Sequence, residues 1–407
     1  MVRVNCICDG ISFPFGEATN QRIIMIGKAV QFKGNSFKVY VNCKRPRNPL
    51  NMEKKGIYEN IEFEHLNKFL QIGLPKWKNA LGYYLIGFYN AFTLLKTLSQ
   101  NKDNVIYLYS QGSLFNGYIS LLSFLFKIPV IQEVNEWPEN LDGYNFESFI
   151  YKSIMFRWAK GAISISHNIT AKINEHSPDP AKIRILAVPI LADKKEWVSK
   201  NDAIQKTFIW CGQVDGYLKD INLILKAFSR FCSGSPGYQL LICGKYKSST
   251  GELINHSIAE LGLKSDQVKL TGYISNELLF EYFQTATALI SPLWNDQRSS
   301  ARFPTKIASY LFASRPVLTC KMGETGKYLT DKENALFFEP GDYRHLSELM
   351  NFCIHNESIA EQIGKQGRIL AETEFDFRGH ADQLNLLFES VKFSPVKYLH
   401  QDENAFY

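Results

Sequence analysis

No Cys-x-x-Cys pair occurs among the eight cysteines, which stand apart at 6, 8, 43, 211, 232, 243, 320 and 353. That argues against a metal site and for small buried hydrophobes in a reducing compartment. His-Glu-x-x-His, the Walker lysine loop and Gly-x-Gly-x-x-Gly are all missing, so the common short motifs for zinc proteolysis, nucleotide hydrolysis and dinucleotide binding are absent. There is no Asp-x-Asp pair to hold a divalent ion, and no metal ligand is expected. The N-terminus has neither the charged region nor the apolar core of a signal peptide, which places the protein in the cytoplasm. Internal repeats, low-complexity tracts and a Pro-rich linker are missing too. The uncharged, aromatic-rich run 81–95 is shorter than the roughly 20 apolar residues that a spanning helix needs.

What is present suffices for two cores. A chain of 407 residues is long for one domain, and two of about 190 residues each is the natural division. Apolar residues at 45% are ample for both. The net charge of +6 is uneven: residues 1–195 carry 24 Lys and Arg against 15 Asp and Glu, the remainder 22 against 25. The basic half either meets something anionic, such as a lipid headgroup, a phosphorylated acceptor or nucleic acid, or is an ordinary solvated surface.

The most informative stretch is 291–319, SPLWNDQRSSARFPTKIASYLFASRPVLT. A strand over 288–290 runs into a polar loop carrying Arg298 and Arg302, and a helix opens at Pro304 with Thr305 and Lys306 in its first turn. Proline suits that place because its missing N–H costs nothing there. The first turn offers unpaired N–H groups and the positive end of the macrodipole. With the Thr305 hydroxyl, Lys306 and Arg302 this makes an anion pocket at the carboxyl end of a strand, where open α/β sheets bind ligands. A lysine at a helix start without any ligand is the competing reading.

The rest of the chain alternates strand and helix. A strand over 2–8 leads through a loop containing Gly16 into a helix that stops at Gly34, and a glycine before a helix start lets backbone approach a phosphate. A strand over 37–42 follows, and 44–76 reads as polar and basic, irregular or only lightly structured. The helix over 77–98, flanked by Lys76, Lys78 and Lys96, either lies in a membrane interface with its lysines toward lipid phosphates or is a buried helix, and the buried reading is adopted. Strands over 105–109, 130–133, 162–166 and 182–188, with a helix around 146–160, complete this half. The strand over 130–133 opens onto Val134-Asn135-Glu136-Trp137-Pro138-Glu139. Carboxylates clustered at a strand's carboxyl end, Glu133 and Glu136 among them, are placed for acid–base work or cap a loop. A polar linker covers 189–206, and strands over 207–210, 239–243, 268–272, 288–291, 316–319 and 335–338 follow. Repeated βα units give a parallel, doubly wound sheet.

The run Pro304-Thr305-Lys306-Ile307-Ala308-Ser309-Tyr310-Leu311, followed by Arg315-Pro316-Val317, resembles the donor segment of glycosyltransferase family 4 (group 1), in particular members reading Pro-x-Lys-x-x-x-Tyr-Leu. The resemblance covers nearly the whole chain. The segment from Gly212 to Asp220 is similar to the family's Gly-Arg-x(n)-Lys-Gly turn, whose Arg and Lys bind the donor diphosphate; Lys219 matches, and Gln213 stands in the Arg position. TGYISNELLFEYFQTATALISPL resembles the family closely, including the loop at Tyr273 that borders the nucleotide base. Gly16 matches the glycine of the first loop, and Asn135 lies about where many relatives line the sugar pocket with histidine. Where common members have two glutamates eight apart, this chain has Ala301 and Ser309, so Ser309 replaces only in part the residue that holds the ribose hydroxyls.

The resemblance implies an α/β protein of the GT-B fold, two Rossmann-like doubly wound domains facing a cleft. Residues 1–190 would form the acceptor-side domain and 191–375 the nucleotide-sugar-binding domain, with a helical tail over 376–407 packing back on the first. It implies a retaining glycosyltransferase of hexosyltransferase type. Such an enzyme moves a sugar from a nucleotide-diphosphate donor to a hydroxyl acceptor, lipid-linked or oligosaccharide, in bacterial polysaccharide or glycolipid assembly. Lys219 and Lys306, with Glu136 or Glu133 for the acceptor proton, form the expected catalytic set. Gly16, Gln213, Gly244, Tyr273, Arg298, Arg302, Pro304, Thr305, Ser309 and Glu324 are the expected donor-binding residues, and Asn135 is on the acceptor side. No metal or other cofactor and no nucleic acid is expected. Peripheral contact with the inner face of the membrane through the basic first half is. A non-catalytic GT-B partner subunit and a nucleotide-sugar epimerase or hydrolase are the alternatives.

Overall fold

The apolar runs become the strands of two separate sheets. The structure, a computed structural model, describes residues 1–16, 18–43, 50, 51, 53–67, 75–109, 113–137, 149, 154, 156–177, 179–197, 203–301 and 303–392. The chain divides into two units. The first takes Met1–Ser164, Ile169–Ala187 and the chain from His380 onward; the second takes Ile165–Asn168 and Val188–Gly379.

In the first unit eight strands form one sheet: β1 (Arg3–Asp9), β2 (Ser36–Asn42), β3 (Lys55–Tyr58), β4 (Ile61–His65), β5 (Asn104–Tyr109), β6 (Val130–Val134), β7 (Gly161–Ser164) and β8 (Arg184–Ala187). Their order is β3-β4-β2-β1-β5-β6-β7-β8, and only the edge strand β3 is antiparallel. β5 and β6 are buried at every position, as strands covered on both faces must be, which is why β5 is almost wholly apolar and why the polar Gln132 and Glu133 of β6 must find partners inside. Helices α1 (Ala18–Phe32), α2 (Lys76–Leu98), α3 (Leu114–Leu125) and α4 (His167–His176) connect them. A last helix, α12 (Ala381–Ser390), returns from the far end of the chain. It is tied to α1 by Asn385, whose Nδ2 donates to the carbonyls of Ala29 (3.0 Å) and Ala381 (2.7 Å) and whose Oδ1 accepts from Asn35 Nδ2 (2.6 Å). Phe388 adds an edge contact to Tyr107, centroids 5.8 Å apart.

Two readings of this half are corrected, and a third falls mostly outside the described residues. The stretch 44–76 is not irregular throughout, because β3 and β4 make a hairpin whose turn residues Glu59 and Asn60 both have positive φ, 48° and 64°. That is the twist a two-residue hairpin requires. β4 then pairs in parallel with β2, and Lys38 of β2 lies 3.6 and 3.5 Å from the carboxylates of Glu62 and Glu64. The alternation Ile61-Glu62-Phe63-Glu64-His65 carried the signal, with Ile61, Phe63 and His65 buried. Helix α2 is not a buried helix: Trp77, Leu81, Leu85 and Tyr89 are 64%, 53%, 63% and 68% exposed. Of the helix expected over 146–160, residues 149, 154 and 156–160 are described, with a helical turn over Phe156–Trp158, and the rest lies outside the described residues.

In the second unit β9 (Thr207–Cys211), β10 (Gln239–Cys243), β11 (Val268–Gly272), β12 (Ala288–Ser291), β13 (Val317–Thr319) and β14 (Leu336–Phe337) form a parallel sheet in the order β11-β10-β9-β12-β13-β14. Helices α5 (Leu218–Cys232), α6 (Ser248–Glu260), α7 (Asn276–Thr285), α8 (Gln297–Ala301), α9 (Thr305–Phe312), α10 (Tyr343–His355) and α11 (Glu357–Glu374) accompany it. The loop expected to hold Arg298 is thus the short helix α8. Phe208, Trp210, Phe228 and Phe231 anchor the core. The stretch read as a linker begins as packed structure. Trp197 is buried with its ring 4.1 Å from that of Phe280, Arg368 Nη2 donates to its carbonyl (2.8 Å), and Asp193 pairs with Arg378 at 2.7 Å.

Asn385→Leu removes the donor that serves two carbonyls and the acceptor of Asn35. It is expected to lower the stability of the first unit by about 1–3 kcal/mol, read as a lower midpoint in urea unfolding.

Candidate functional site

The strand order of the second sheet reverses direction between β9 and its neighbours, so the crevice at the carboxyl ends of β9 and β12 is a topological switch point, the place where such sheets receive ligands. Three glycines bring the loops there together. Gly212 N–H donates to the Cys243 carbonyl (2.9 Å) after β9, and Gly244 N–H to the Gly272 carbonyl (3.0 Å) after β10. Gly244 has φ +145°, and a Cβ on it would lie 1.8 Å from the Gly212 carbonyl oxygen. No other residue fits, so Gly244 holds the loops in register with its own backbone.

Helix α9 enters this place from β12. Pro304 precedes it with φ −63° and ψ 122°, and no side chain caps the helix start. One turn apart on the same face stand Lys306 and Tyr310. The buried Tyr310 hydroxyl accepts the N–H of Cys211 at 2.8 Å, bolting α9 to the end of β9. Burial holds its phenol well above the ordinary range, so it stays protonated. The half-buried Lys306 then places its Nζ 4.2 Å from the ring centre of Trp210 and 5.3 Å from that of Tyr217. Lys219, in the first turn of α5, lies with Nζ 3.6 Å from the ring centre of Trp294. Trp294 is held in turn by Nε1–H donating to the buried carboxylate of Asp220 at 2.7 Å. The rings of Trp210 and Tyr217 are 5.9 Å apart, so two ammonium groups and three aromatic rings share one end of the sheet. A third cation was missed in sequence: Lys245, directly after Gly244, stands 4.8 Å from the ring of the exposed Tyr273.

Of the remaining expected donor residues, Gln213 and Thr305 are exposed and Ser309 is half-buried, one turn beyond Lys306. Arg302 and the side chain of Arg298 lie outside the described residues. Glu324 is corrected. It is buried, and its carboxylate accepts from the backbone N–H of His167 (2.9 Å) and lies 3.2 Å from that ring's Nδ1, which leaves it a structural anchor. A cavity of about 790 Å³ also opens in this unit, with Asn295, Lys321, Lys327, Glu339 and His345 in its wall and none of the described donor residues among its lining.

In the first unit the acid–base pair separates. Glu133, at the end of β6, is buried; Arg22 Nε donates to its Oε1 at 3.0 Å and the Tyr107 hydroxyl to its Oε2. Burial pushes its carboxyl up, against the pull of Arg22. With both oxygens engaged it cannot meet an acceptor, and the expectation for Glu133 is corrected to a structural role. Glu136 is exposed and Asn135 half-buried, with Nδ2 donating to the Tyr109 hydroxyl at 2.7 Å. Gly16 is exposed at φ +128°. A polar cluster at the ends of β1 and β2 had not been foreseen: Asp9 accepts from Tyr83 and from Asn42 Nδ2 (2.9 Å), and Asn42 accepts from Asn67 (2.5 Å). Its members are far apart in sequence, so no local spacing announced it.

Residues 192–369 match the family model described as glycosyl transferases group 1. The match contains Lys219, Lys245, Lys306 and the glycine ladder, while Gly16, Asn135 and Glu136 fall outside it. No curated protein matches the chain in sequence. Among solved structures, Anabaena HepE in complex with UDP and glucose aligns with a TM-score of 0.71 at 14% identity, covering 96% of this chain and 99% of that one. Sucrose-phosphate synthase from Thermosynechococcus elongatus gives 0.70 at 14% identity with the same coverage. The lipopolysaccharide outer core galactosyltransferase WaaB, in its apo form, gives 0.64 at 14% identity, again over 96% and 99%. The fold is GT-B.

Two substitutions test these anchors. Gly244→Ala must adopt a positive φ that alone costs about 1–3 kcal/mol, with the clash at Gly212 added, and is expected to depress the thermal midpoint. Arg22→Met strands a buried carboxylate and is expected to cost about 3–5 kcal/mol, measured by chemical denaturation.

Proposed function

We propose that the protein is a glycosyltransferase moving a sugar from a nucleotide-diphosphate donor to a hydroxyl acceptor. The observation that carries this reading is the pair Lys219 and Lys306, two ammonium groups held on aromatic rings at the switch point of the second sheet. A diphosphate leaving group gathers negative charge as the bond to the sugar breaks. Fixed cations beside it stabilise that charge more than they stabilise the ground state. Lys245 and the donor-segment arginines Arg298 and Arg302 would add to the field. Cationic side chains then do the work that a divalent ion does elsewhere, and the reaction runs without a metal.

The group 1 match supports this reading, as do the structural neighbours: HepE was captured with UDP and with UDP-glucose, and WaaB is a galactosyltransferase. Tyr273 would border the base and Ser309 meet the ribose. Transfer would proceed with retention, the donor's own phosphate oxygen guiding the acceptor. Glu136 is the remaining candidate for the acceptor proton, with Asn135 beside the sugar. The acceptor would be an oligosaccharide or a lipid-linked sugar in bacterial polysaccharide or glycolipid assembly, at the inner face of the membrane. Gln213, Ala301 and Ser309, which replace charged residues of common group 1 members, favour one other reading, a non-catalytic partner subunit.

Lys306→Ala is expected to lower transfer by roughly 10²–10³ with an unchanged far-UV circular dichroism spectrum; near-normal turnover would remove Lys306 from the site. A panel of nucleotide diphosphates and their sugars, scanned by thermal shift, is expected to raise the midpoint for the cognate donor. A scaffold subunit would answer to none of them.

A further inference from the structure

We infer that the outward faces of α2 and α3 form one surface that lies on an anionic lipid bilayer. On α2 the exposed apolar residues Trp77, Leu81, Tyr84, Leu85, Tyr89 and Phe92 recur at helical spacing and make a stripe along four turns. Their exposure does not come from want of packing, since the neighbouring face of the same helix is buried through Tyr83, Ala91, Leu95 and Leu98. On α3 Leu114, Leu121, Phe124 and Leu125 are exposed as well. The two stripes join. Phe88 and Tyr118 have ring centres 4.7 Å apart, the Tyr118 hydroxyl donates to the Phe88 carbonyl at 3.3 Å, and Phe92 meets Phe126 at 5.7 Å. A continuous apolar area of this kind on a monomer marks a contact surface.

Charge identifies the occupant. Between Lys76 and Gln132 the only acidic residue is Asp103, which is paired with Lys392 at 2.7 Å, while lysines stand at 76, 78, 96, 102 and 127. Lys78, Lys96 and Lys127 are exposed, and Lys78 Nζ lies 5.4 Å from the ring centre of Trp77. Apolar residues bordered by lysines with an indole at one end match the layering of acyl chain and anionic headgroup. Two copies of this face would instead oppose lysine to lysine. No helix among the described residues is long and apolar enough to cross a membrane, so the surface lies on the bilayer. Near the start of α2, Tyr83 reaches Asp9 at the carboxyl end of β1, so the face borders the edge of the sheet that an acceptor would approach. The inference deepens the membrane part of the proposed function and rests on it; sugar transfer itself does not enter.

Flotation of the full chain with phosphatidylcholine vesicles, with and without phosphatidylglycerol, tests it in the absence of donor and acceptor. Recovery with the anionic vesicles and its loss at high salt are expected. Leu85→Glu/Tyr89→Glu should stay unbound with an unchanged circular dichroism spectrum, and Lys78→Gln and Lys96→Gln should each weaken binding about fivefold. Equal recovery with both vesicle types, or full binding by the double variant, overturns the proposal. So does a wild-type dimer that the double variant splits while vesicles are ignored, since the face would then bind a second copy. Thermal shift with nucleotides on the same preparation keeps the two readings apart. A donor response without vesicle binding sinks the docking surface alone; vesicle binding without any donor response supports the surface and counts against transfer.

Discussion

The Tyr310 hydroxyl accepts the part-buried backbone N–H of Cys211, at the point where β9 stops. Sliding α9 by even one residue would take that amide from its partner, a cost on the order of 1 kcal/mol. The helix start is thereby fixed against the sheet, and Lys306, one turn earlier on the same face, inherits the precision. The glycine ladder sets the other wall: Gly212 and Gly244 approach so closely that backbone replaces side chain as the packing element. The placement of Lys306 and of the loops after β9 and β10 follows from these two contacts.

The partners chosen for the lysines matter as much as their positions. A carboxylate beside Lys219 would quench its charge, whereas an indole face holds an ammonium group with about 0.5–2 kcal/mol and leaves that charge in place. The nearby acid, Asp220, is buried and accepts from Trp294. The carboxylate orients the ring, and the ring orients the lysine. Glu133 in the first unit shows the opposite arrangement: a carboxylate drawn inside, paired with Arg22 and capped by Tyr107. Two glutamates three residues apart so have different chemistry, because one points into the core and the other into solvent.

Sequence patterns carried the fold a long way for identifiable reasons. Strands covered on both faces are mostly apolar, and β5 and β9 read that way; proline at the start of α9 and glycine after the strands are demands of backbone geometry that few other residues meet. The hairpin β3–β4 was lost because Glu62 and Glu64 alternate with the apolar residues of β4 in a stretch rich in charge, and charge is a local property while pairing is not. The exposure of α2 escaped for a similar reason. Apolar residues lie on both of its sides, and composition cannot say which side finds a partner.

The sequence by itself determined the order of βα units, the places where glycine and proline are obligatory, and the resemblance of the donor segment to group 1 transferases. These follow from the stereochemistry of short stretches. Only the tertiary structure decided that Trp294 and Trp210 seat the two lysines, that Glu133 and Glu324 are anchors, and that one face of α2 stays bare. Each depends on what a side chain meets from a distant part of the chain, and burial, ion pairing and cation–π contact arise only when those parts are brought together.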